Sequence, residues 1–137
     1  MERSKELEEV VRRMYEAMES DDFGVFEEIL SHSPDARMIG TDPAEWWGGH
    51  EKISEVTQVQ LKEMQGLRIA PGELEAFAEG DVGWFADQPR WTMQDGTEIP
   101  LRFTGVYRRE ESAWKLVQGH ASIGVANADV AGFEMTT

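Results

Sequence analysis

The chain's last patterned segment reads W-K-L-V-Q-G-H-A-S from Trp114 to Ser122. Successive side chains of a strand point to opposite faces of a sheet, so this segment predicts two faces of different chemistry. One face begins with large apolar side chains and ends with polar ones: Trp114, Leu116, Gln118, His120 and Ser122. The other face is small and mostly apolar: Lys115, Val117, Gly119, Ala121 and Ile123. We expect the first face to pack on helices and to change from a core into a polar pocket.

Three further strand-like segments precede this one, at about 68–78, 82–93 and 99–109. Short runs of turn residues separate them, such as Gln94-Asp95-Gly96. Connections this short join antiparallel neighbours, so the second half of the chain predicts a meander of hairpins.

The first half of the chain has helical periodicity. Ser4 is a suitable N-cap for a first helix whose apolar residues include Leu7 and Met14. Asp21-Asp22 separates it from a second helix, and a third helix is expected from about His50 to Gln65. Helices that precede a meander indicate an α+β fold.

A tryptophan-rich segment lies between the second and third helices. Asp42 is a good N-cap and Glu45 stands where a capping-box carboxylate reaches back, so we expect one helical turn that presents Trp46 and Trp47. Two adjacent tryptophans on such a turn cannot both point inward. One of them is therefore expected at a pocket mouth or an interface.

The preceding strand, which contains Arg102 and Thr104, supplies further candidates for the pocket. If these two side chains face the helices, a cation and a hydroxyl join Gln118 and His120. The alternative is an arginine at the rim of the sheet with its charged head in water. The aromatic and sulfur-containing side chains expected to line an apolar cavity are Trp46, Trp47, Met64 and Trp84, although such side chains are also typical of a core.

Composition narrows the classes of partner. The 137 residues suit a single domain over 1–137, and a formal net charge of -14 argues against nucleic acid and anionic membranes. No run of 18 apolar residues and no basic-then-apolar N-terminus occurs, so we expect a soluble, cytoplasmic protein. The tail after about residue 127 has no firm period and is expected to be a mobile end or a final edge strand.

Neither a metal nor a cofactor is expected from the sequence. The chain has no cysteine and no glycine-rich phosphate loop. His32 and His50 fall in a predicted loop and at a helix start, where solvated surface positions are expected, and neither belongs to a recognisable ligand motif.

The order of these elements resembles a known superfamily. The run Gly40-Thr41-Asp42-Pro43 before Trp47, the run R-F-T-G-V-Y-R-R from Arg102 to Arg109, and the segment Trp114–Ser122 together resemble the SnoaL-like branch of the nuclear-transport-factor-2-like (NTF2-like) superfamily. The resemblance implies a cone of three N-terminal helices on a curved, mixed or antiparallel sheet, and frequent dimers through sheet faces. Its members include isomerases, polyketide cyclases, dehydratases, hydrolases and noncatalytic binders, so fold alone does not choose a function.

The ketosteroid isomerases of this superfamily offer a specific comparison, because their chemistry needs a carboxylate base and an acidic oxyanion hole. Tyr15 matches the first-helix tyrosine of that hole. The catalytic aspartate falls at Gly40, however, and the second acidic donor at Arg102. Steroid-type isomerisation is therefore not expected, although Asp42 with His120 and Tyr15 could support another proton transfer.

The leading hypothesis is a SnoaL-like protein that binds a hydrophobic carbonyl or aromatic molecule, with acid/base chemistry of the isomerase, cyclase or hydratase type. Its candidate catalytic residues are His120, Asp42 and Tyr15, and its candidate ligand-binding residues are Trp46, Trp47, Met64, Trp84, Arg102, Thr104 and Gln118. The alternative is a noncatalytic dimeric sensor or accessory domain. Under either hypothesis we expect a homodimer through the outer sheet face, unless the chain's own tail covers that face.

Overall fold

The computed structural model describes residues 1–137. Its helices are α1 (Lys5–Glu19), α2 (Phe23–Ile29), α3 (His50–Glu63) and a short α4 (Asn127–Ala131). The first two begin at the predicted caps, since Ser4 Oγ accepts a hydrogen bond from Leu7 N–H at 3.1 Å and Asp22 Oδ1 accepts one from Val25 N–H at 3.2 Å. None of the helices is both long and apolar enough to span a bilayer.

Ten strands form two sheets. In chain order they are β1 (Glu2–Arg3), β2 (Arg37–Ile39), β3 (Trp46–Gly48), β4 (Arg68–Ala70), β5 (Glu75–Glu79), β6 (Val82–Asp87), β7 (Arg90–Thr92), β8 (Glu98–Pro100), β9 (Arg102–Glu110) and β10 (Ala113–Ser122). The larger sheet has the order β1-β5-β6-β9-β10-β2-β3, and the smaller one has the order β4-β7-β8. Only the pairing of β10 with β2 is parallel. The predicted α+β fold, three N-terminal helices against a mostly antiparallel sheet, is confirmed.

Prolines divide the long predicted strands. Pro71 follows β4, Pro89 separates β6 from β7, and Pro100 ends β8. Proline cannot donate a hydrogen bond to a sheet ladder, so each of the three predicted segments becomes two shorter strands. The tail also differs from the expectation of an edge strand, because it contains the exposed helix α4.

The tryptophan-rich segment is a strand rather than a helical turn. Asp42 Oδ1 accepts from Ala44 N–H at 2.8 Å and Glu45 Oε1 accepts from Asp42 N–H at 3.1 Å, but these bonds close a turn that leads into β3. The strand pairing places Trp47 opposite Met38. Trp46 points the other way and is 63% exposed, as expected for one of the two tryptophans.

A β-bulge reverses the predicted faces in the second half of β10. Leu116 pairs with Tyr107 and Gln118 pairs with Val106, so Val117 is an extra residue in this strand. Beyond the bulge Gly119 and Ala121 face the helices, whereas Gln118 and His120 lie exposed on the outer face. The prediction is correct for Trp114 and Leu116, which are buried, and wrong for Gln118, His120 and Ser122.

Of the two alternatives for β9, the structure shows the one in which Arg102 and Thr104 do not face the helices. Phe103 and Tyr107 are buried against the helices, whereas Arg102 and Thr104 are exposed on the outer face. Burial of the large apolar side chains of Phe103 and Tyr107 stabilises the fold more than burial of Arg102 and Thr104 would. Because successive residues of a strand face opposite sides of the sheet, burying the first pair places the second pair on the outer face. Arg102 Nε donates to Ser122 Oγ at 3.3 Å on the exposed side, which agrees with the alternative that its head lies in water.

Candidate functional site

A cavity of about 210 Å³ lies between α2, α3 and the inner face of the sheet. Ten of its sixteen lining residues are hydrophobic, so its interior favours an apolar ligand. The largest of these side chains come from six different elements or connections: Met18, Phe26, Trp47, Met64, Trp91 and Phe103.

The cavity wall also contains polar side chains. They are supplied by Thr41, Glu45, Thr57, Gln60 and Glu63. Glu45 is half-buried, and its Oε2 accepts a hydrogen bond from Gln60 Nε2 at 3.3 Å. Its Oε1 accepts the backbone bond from Asp42 described above. Two donors therefore hold this carboxylate at the cavity wall.

Gly40 makes room for the Glu45 side chain. A Cβ atom at position 40 would lie 2.8 Å from both Cβ and Cδ of Glu45, and nearer still to Oε2. The resemblance to ketosteroid isomerases places their catalytic aspartate at position 40. Here a glycine stands at that position and the carboxylate of Glu45 occupies the adjoining space.

The three predicted catalytic residues do not come together. Asp42 is exposed in the turn before β3, and His120 is exposed on the outer face of the sheet. Tyr15 is buried and donates a hydrogen bond to Asp87 Oδ2 at 2.9 Å. Neither residue of that pair lines the cavity, although Tyr15 packs edge-on against Phe103, which does.

The Tyr15–Asp87 pair is a closed hydrogen-bonded unit. Asp87 Oδ1 accepts from the backbone N–H groups of Gly72 at 3.0 Å and Gln88 at 2.8 Å. Burial first, and then the charge of Asp87 and its hydrogen bond, raise the pKa of Tyr15 far above its ordinary value. The phenol therefore keeps its proton and serves Asp87 as a donor.

The predicted ligand-binding residues divide into two groups. Trp47 and Met64 line the cavity as expected. Trp84 lies on the outer face, where its ring stacks with Phe77 at 6.4 Å between centroids, and the exposed Trp46 lies under the guanidinium of Arg37. Arg102, Thr104 and Gln118 are on the outer face as well, so none of these three lines the cavity for which it was proposed.

The polar residues that sequence reasoning missed lie on α3 and the turn before β3. Thr57 and Gln60 are three positions apart on a helix, a spacing that puts both on one face. This three-residue spacing on a predicted helix could have identified Thr57 and Gln60 as neighbours on one surface. Glu45 was predicted to be the carboxylate of a capping box; its Oε1 does accept the bond from Asp42 N–H, in a turn before a strand and not at a helix start.

A second polar cluster joins residues expected to be separate surface groups. The ring centroids of His32 and His50 are 4.0 Å apart, with the ring planes inclined by 31°, and His32 Nε2 lies 3.6 Å from Glu27 Oε1. His50 Nε2 and Ser54 Oγ also contact the carboxylate of Glu27. Burial alone would raise the pKa of Glu27, but the hydrogen bonds from Ser54 and His50 and the charges of both histidines lower it below its ordinary value. One carboxylate and two imidazoles could hold a metal ion here.

Comparison with solved structures shows the same architecture in several proteins of low sequence identity. An NTF2-like protein of unknown function from Pseudomonas putida KT2440 is 18% identical, with a TM-score of 0.77 over 85% of this chain and 83% of that chain. A protein of the NTF2-like family from Streptomyces avermitilis, provisionally named a dehydratase, is 16% identical, with a TM-score of 0.79 over 89% and 96% of the two chains. A provisionally named ketosteroid isomerase from Parabacteroides distasonis is 17% identical, with a TM-score of 0.70 over 84% and 85%.

These likenesses establish the fold and not the activity. No curated protein matches the sequence. The SnoaL-like domain family matches residues 7–126, which include most of α1, every residue that lines the cavity and the whole of β10. The chain therefore belongs to the SnoaL-like domain family and shares the fold of the NTF2-like structures compared above.

Proposed function

We propose that this protein binds a small hydrophobic carbonyl compound in the cavity and that Glu45 acts on it as a general base. The observation that carries the proposal is the half-buried carboxylate of Glu45, which two hydrogen bonds hold at the edge of an otherwise apolar cavity. A carboxylate fixed beside an apolar site can remove a proton from a bound carbon acid.

The size of the cavity limits the ligand. An apolar cavity of about 150 Å³ accommodates benzene. At about 210 Å³ the present cavity suits a compound with one ring or two small rings. The proposed ligand is therefore smaller than a four-ring steroid, in agreement with the glycine at the position of the isomerase aspartate.

Polar residues of the cavity wall supply hydrogen-bond donors for the carbonyl oxygen of the ligand. Gln60 has two amide N–H groups, of which one donates to Glu45, and Thr57 has a hydroxyl. A carbonyl oxygen that accepts from these groups places the adjacent C–H bond near Glu45. As Glu45 takes the proton, the donors stabilise the charge that develops on the oxygen.

Two proteins of the same fold have provisional names for enzymes that move protons, a dehydratase and a ketosteroid isomerase. These names support proton transfer as the general class of reaction. The proposed substrate class and the proposed position of the reacting carbon rest on the cavity of this chain.

Hydrogen exchange in D₂O tests the proposal without a known substrate. One- and two-ring aryl ketones, beginning with acetophenone, are first screened for binding by ligand-observed NMR. For a ketone that binds, we expect the protein to accelerate exchange of the α-hydrogens, and Glu45→Gln to lose about 100-fold or more of this acceleration. Asp42→Asn is the matched control because Asp42 is exposed outside the cavity, and it should retain the activity.

Two results would contradict the proposal in different ways. Binding without accelerated exchange would favour the noncatalytic alternative, in which the cavity only senses or carries its ligand. Equal acceleration by wild type and Glu45→Gln would assign the proton transfer to another group.

A further inference from the structure

We propose that Glu27, His32 and His50 form a binding site for a divalent transition-metal ion, with Zn²⁺ as the best match. Each residue offers one ligand atom, and these atoms all lie within 4.8 Å of one another. The site is separate from the cavity, since none of the three residues lines it. The proposal is therefore independent of the proposed function.

Three parts of the fold converge to build the cluster. Glu27 lies in α2, His32 lies in the connection before β2, and His50 is the first residue of α3. Gly49 has a φ of 87°, a left-handed conformation that suits glycine, and its N–H donates to Ala36 O at 2.8 Å. His50 N–H donates to Ser33 O at 3.3 Å, so the backbone of this ligand is fixed before any ion arrives.

The spacing of the ligand atoms fits a small ion. With Zn–N and Zn–O bonds near 2.1 Å, the ligand atoms of a tetrahedral site lie about 3.4 Å apart. The separation of 3.6 Å between His32 Nε2 and Glu27 Oε1 is close to that value. The direct contact between His50 and Glu27 must open to admit the ion, and His32 can adjust because its side chain is 66% exposed.

Ser54 gives the carboxylate a defined orientation. Its hydroxyl donates to Glu27 Oε2, which leaves Oε1 directed at the two imidazoles. Partners of this kind commonly orient metal-binding carboxylates and raise metal affinity. The structure thus contains three ligand atoms and one supporting hydrogen bond.

The surroundings favour a hydrated cation of the transition series. Beside the cluster is an open recess with no hydrophobic lining, where the carboxylates of Glu51 and Glu55 outnumber the single ammonium group of Lys52. It leaves space for water at a fourth coordination position, as in zinc sites with three protein ligands. Two imidazole nitrogens select for Zn²⁺, Cu²⁺, Ni²⁺ or Co²⁺ over Mg²⁺ and Ca²⁺, which prefer oxygen.

The test is a metal titration of the full chain, purified without a histidine tag and freed of metal with a chelator. Calorimetry with Zn²⁺ should show one ion per chain, and Co²⁺ should give the visible absorption of a site with nitrogen ligands. Mg²⁺ should give no binding of comparable affinity. His50→Ala and Glu27→Gln should each weaken Zn²⁺ binding about 100-fold or more, since loss of a supporting group alone costs about 10- to 100-fold.

Two further variants distinguish loss of a metal ligand from loss of folding. His32→Ala alters a largely exposed loop side chain, so it should fold normally and still lose Zn²⁺ affinity. His120→Ala removes the third histidine of the chain, which lies on the outer sheet face, and should bind as wild type does. The proposal is overturned if the wild type does not bind Zn²⁺, or if His32→Ala and His50→Ala bind it as tightly as His120→Ala. In either case the cluster is a hydrogen-bonded ion pair that joins α2 to α3.

Discussion

Two buried tyrosines of similar exposure have different surroundings. Tyr15 donates to the carboxylate of Asp87 at 2.9 Å, whereas the hydroxyl of Tyr107 reaches only the sulfur of Met14, at 3.5 Å. Tyr15→Phe leaves a buried carboxylate without one donor and should lower the free energy of unfolding by about 1–3 kcal/mol. Tyr107→Phe should cost less than about 1 kcal/mol. Urea unfolding at neutral pH measures the free energy of unfolding of both variants. An equal decrease in the two would contradict the prediction that the hydrogen bond from Tyr15 to Asp87 stabilises the fold.

The same tyrosines predict a loss of stability in alkali. Burial raises the pKa of both above the ordinary value, and for Tyr15 the charge of Asp87 adds to the effect. A raised folded-state pKa contributes stability that is complete below the unfolded pKa of about 10 and decreases above it. Unfolding free energies measured between about pH 8 and pH 11 should fall above about pH 10, and Tyr107→Phe should reduce the slope. An unchanged slope in that variant would show that other groups cause the loss.

At the level of elements, the bulge at Val117 decides which residues of β10 face the cavity. It inserts one residue between Leu116 and Gln118 without changing the partner strand. Deletion of Val117 should therefore leave Leu116 and Gly119 inside and His120 outside, because the remaining residues alternate without interruption. We expect a folded protein with a flatter sheet and reduced stability.

Deletion of Gly105 is the contrasting change in β9. That strand has no bulge at this position, so the deletion should move Phe103 to the outer face and Thr104 to the inner face. Circular dichroism and urea unfolding should show cooperative unfolding for the Val117 deletion and its loss for the Gly105 deletion. The reverse order would contradict the assignment of Val117 as the extra residue.

Local chemistry explains which elements could be predicted. Ser4 and Asp22 form the expected caps, and Gly66, with a φ of 85°, follows the third helix. These features depend on a few neighbouring residues. The prolines that divide the strands were equally local signals, and reading them as breaks would have improved the strand boundaries.

The sites were harder to predict because their residues are distant in sequence. A bulge in β10 cannot be inferred from strict alternation, and this one residue moved Gln118 and His120 out of the cavity. Glu27 is 23 positions from His50, a separation that no motif marks. The apolar residues of the cavity were easier to predict. Trp47 and Met64 were expected from composition and pattern alone, and both line the cavity.

For the whole molecule, the outer sheet face remains the surface where we expect a homodimer. The small side chains that alternation assigned to the face away from the helices, Gly119 and Ala121, face inward. The outer face nevertheless offers the stacked rings of Phe77 and Trp84 beside half-buried Val106. Apolar groups of this kind on an open sheet suit a self-complementary interface.

Val106→Glu tests this interface. It places a charge at the centre of the outer face and should convert a dimer to a monomer in sedimentation velocity. Val59→Glu is a matched control, because Val59 is 53% exposed on α3, away from the sheet. A wild-type monomer, or a Val106→Glu protein that stays dimeric, would contradict the predicted interface.

The inner cavity is expected to hold a small hydrophobic ligand. Ala121 lines that cavity, and Ala121→Phe should fill it, whereas Ala86→Phe adds the same ring to the exposed face of β6. Native mass spectrometry of the purified proteins should detect a small bound molecule in wild type and Ala86→Phe and none in Ala121→Phe. Equal occupancy of Ala121→Phe and Ala86→Phe, or no bound molecule in any of the three, would contradict the claim.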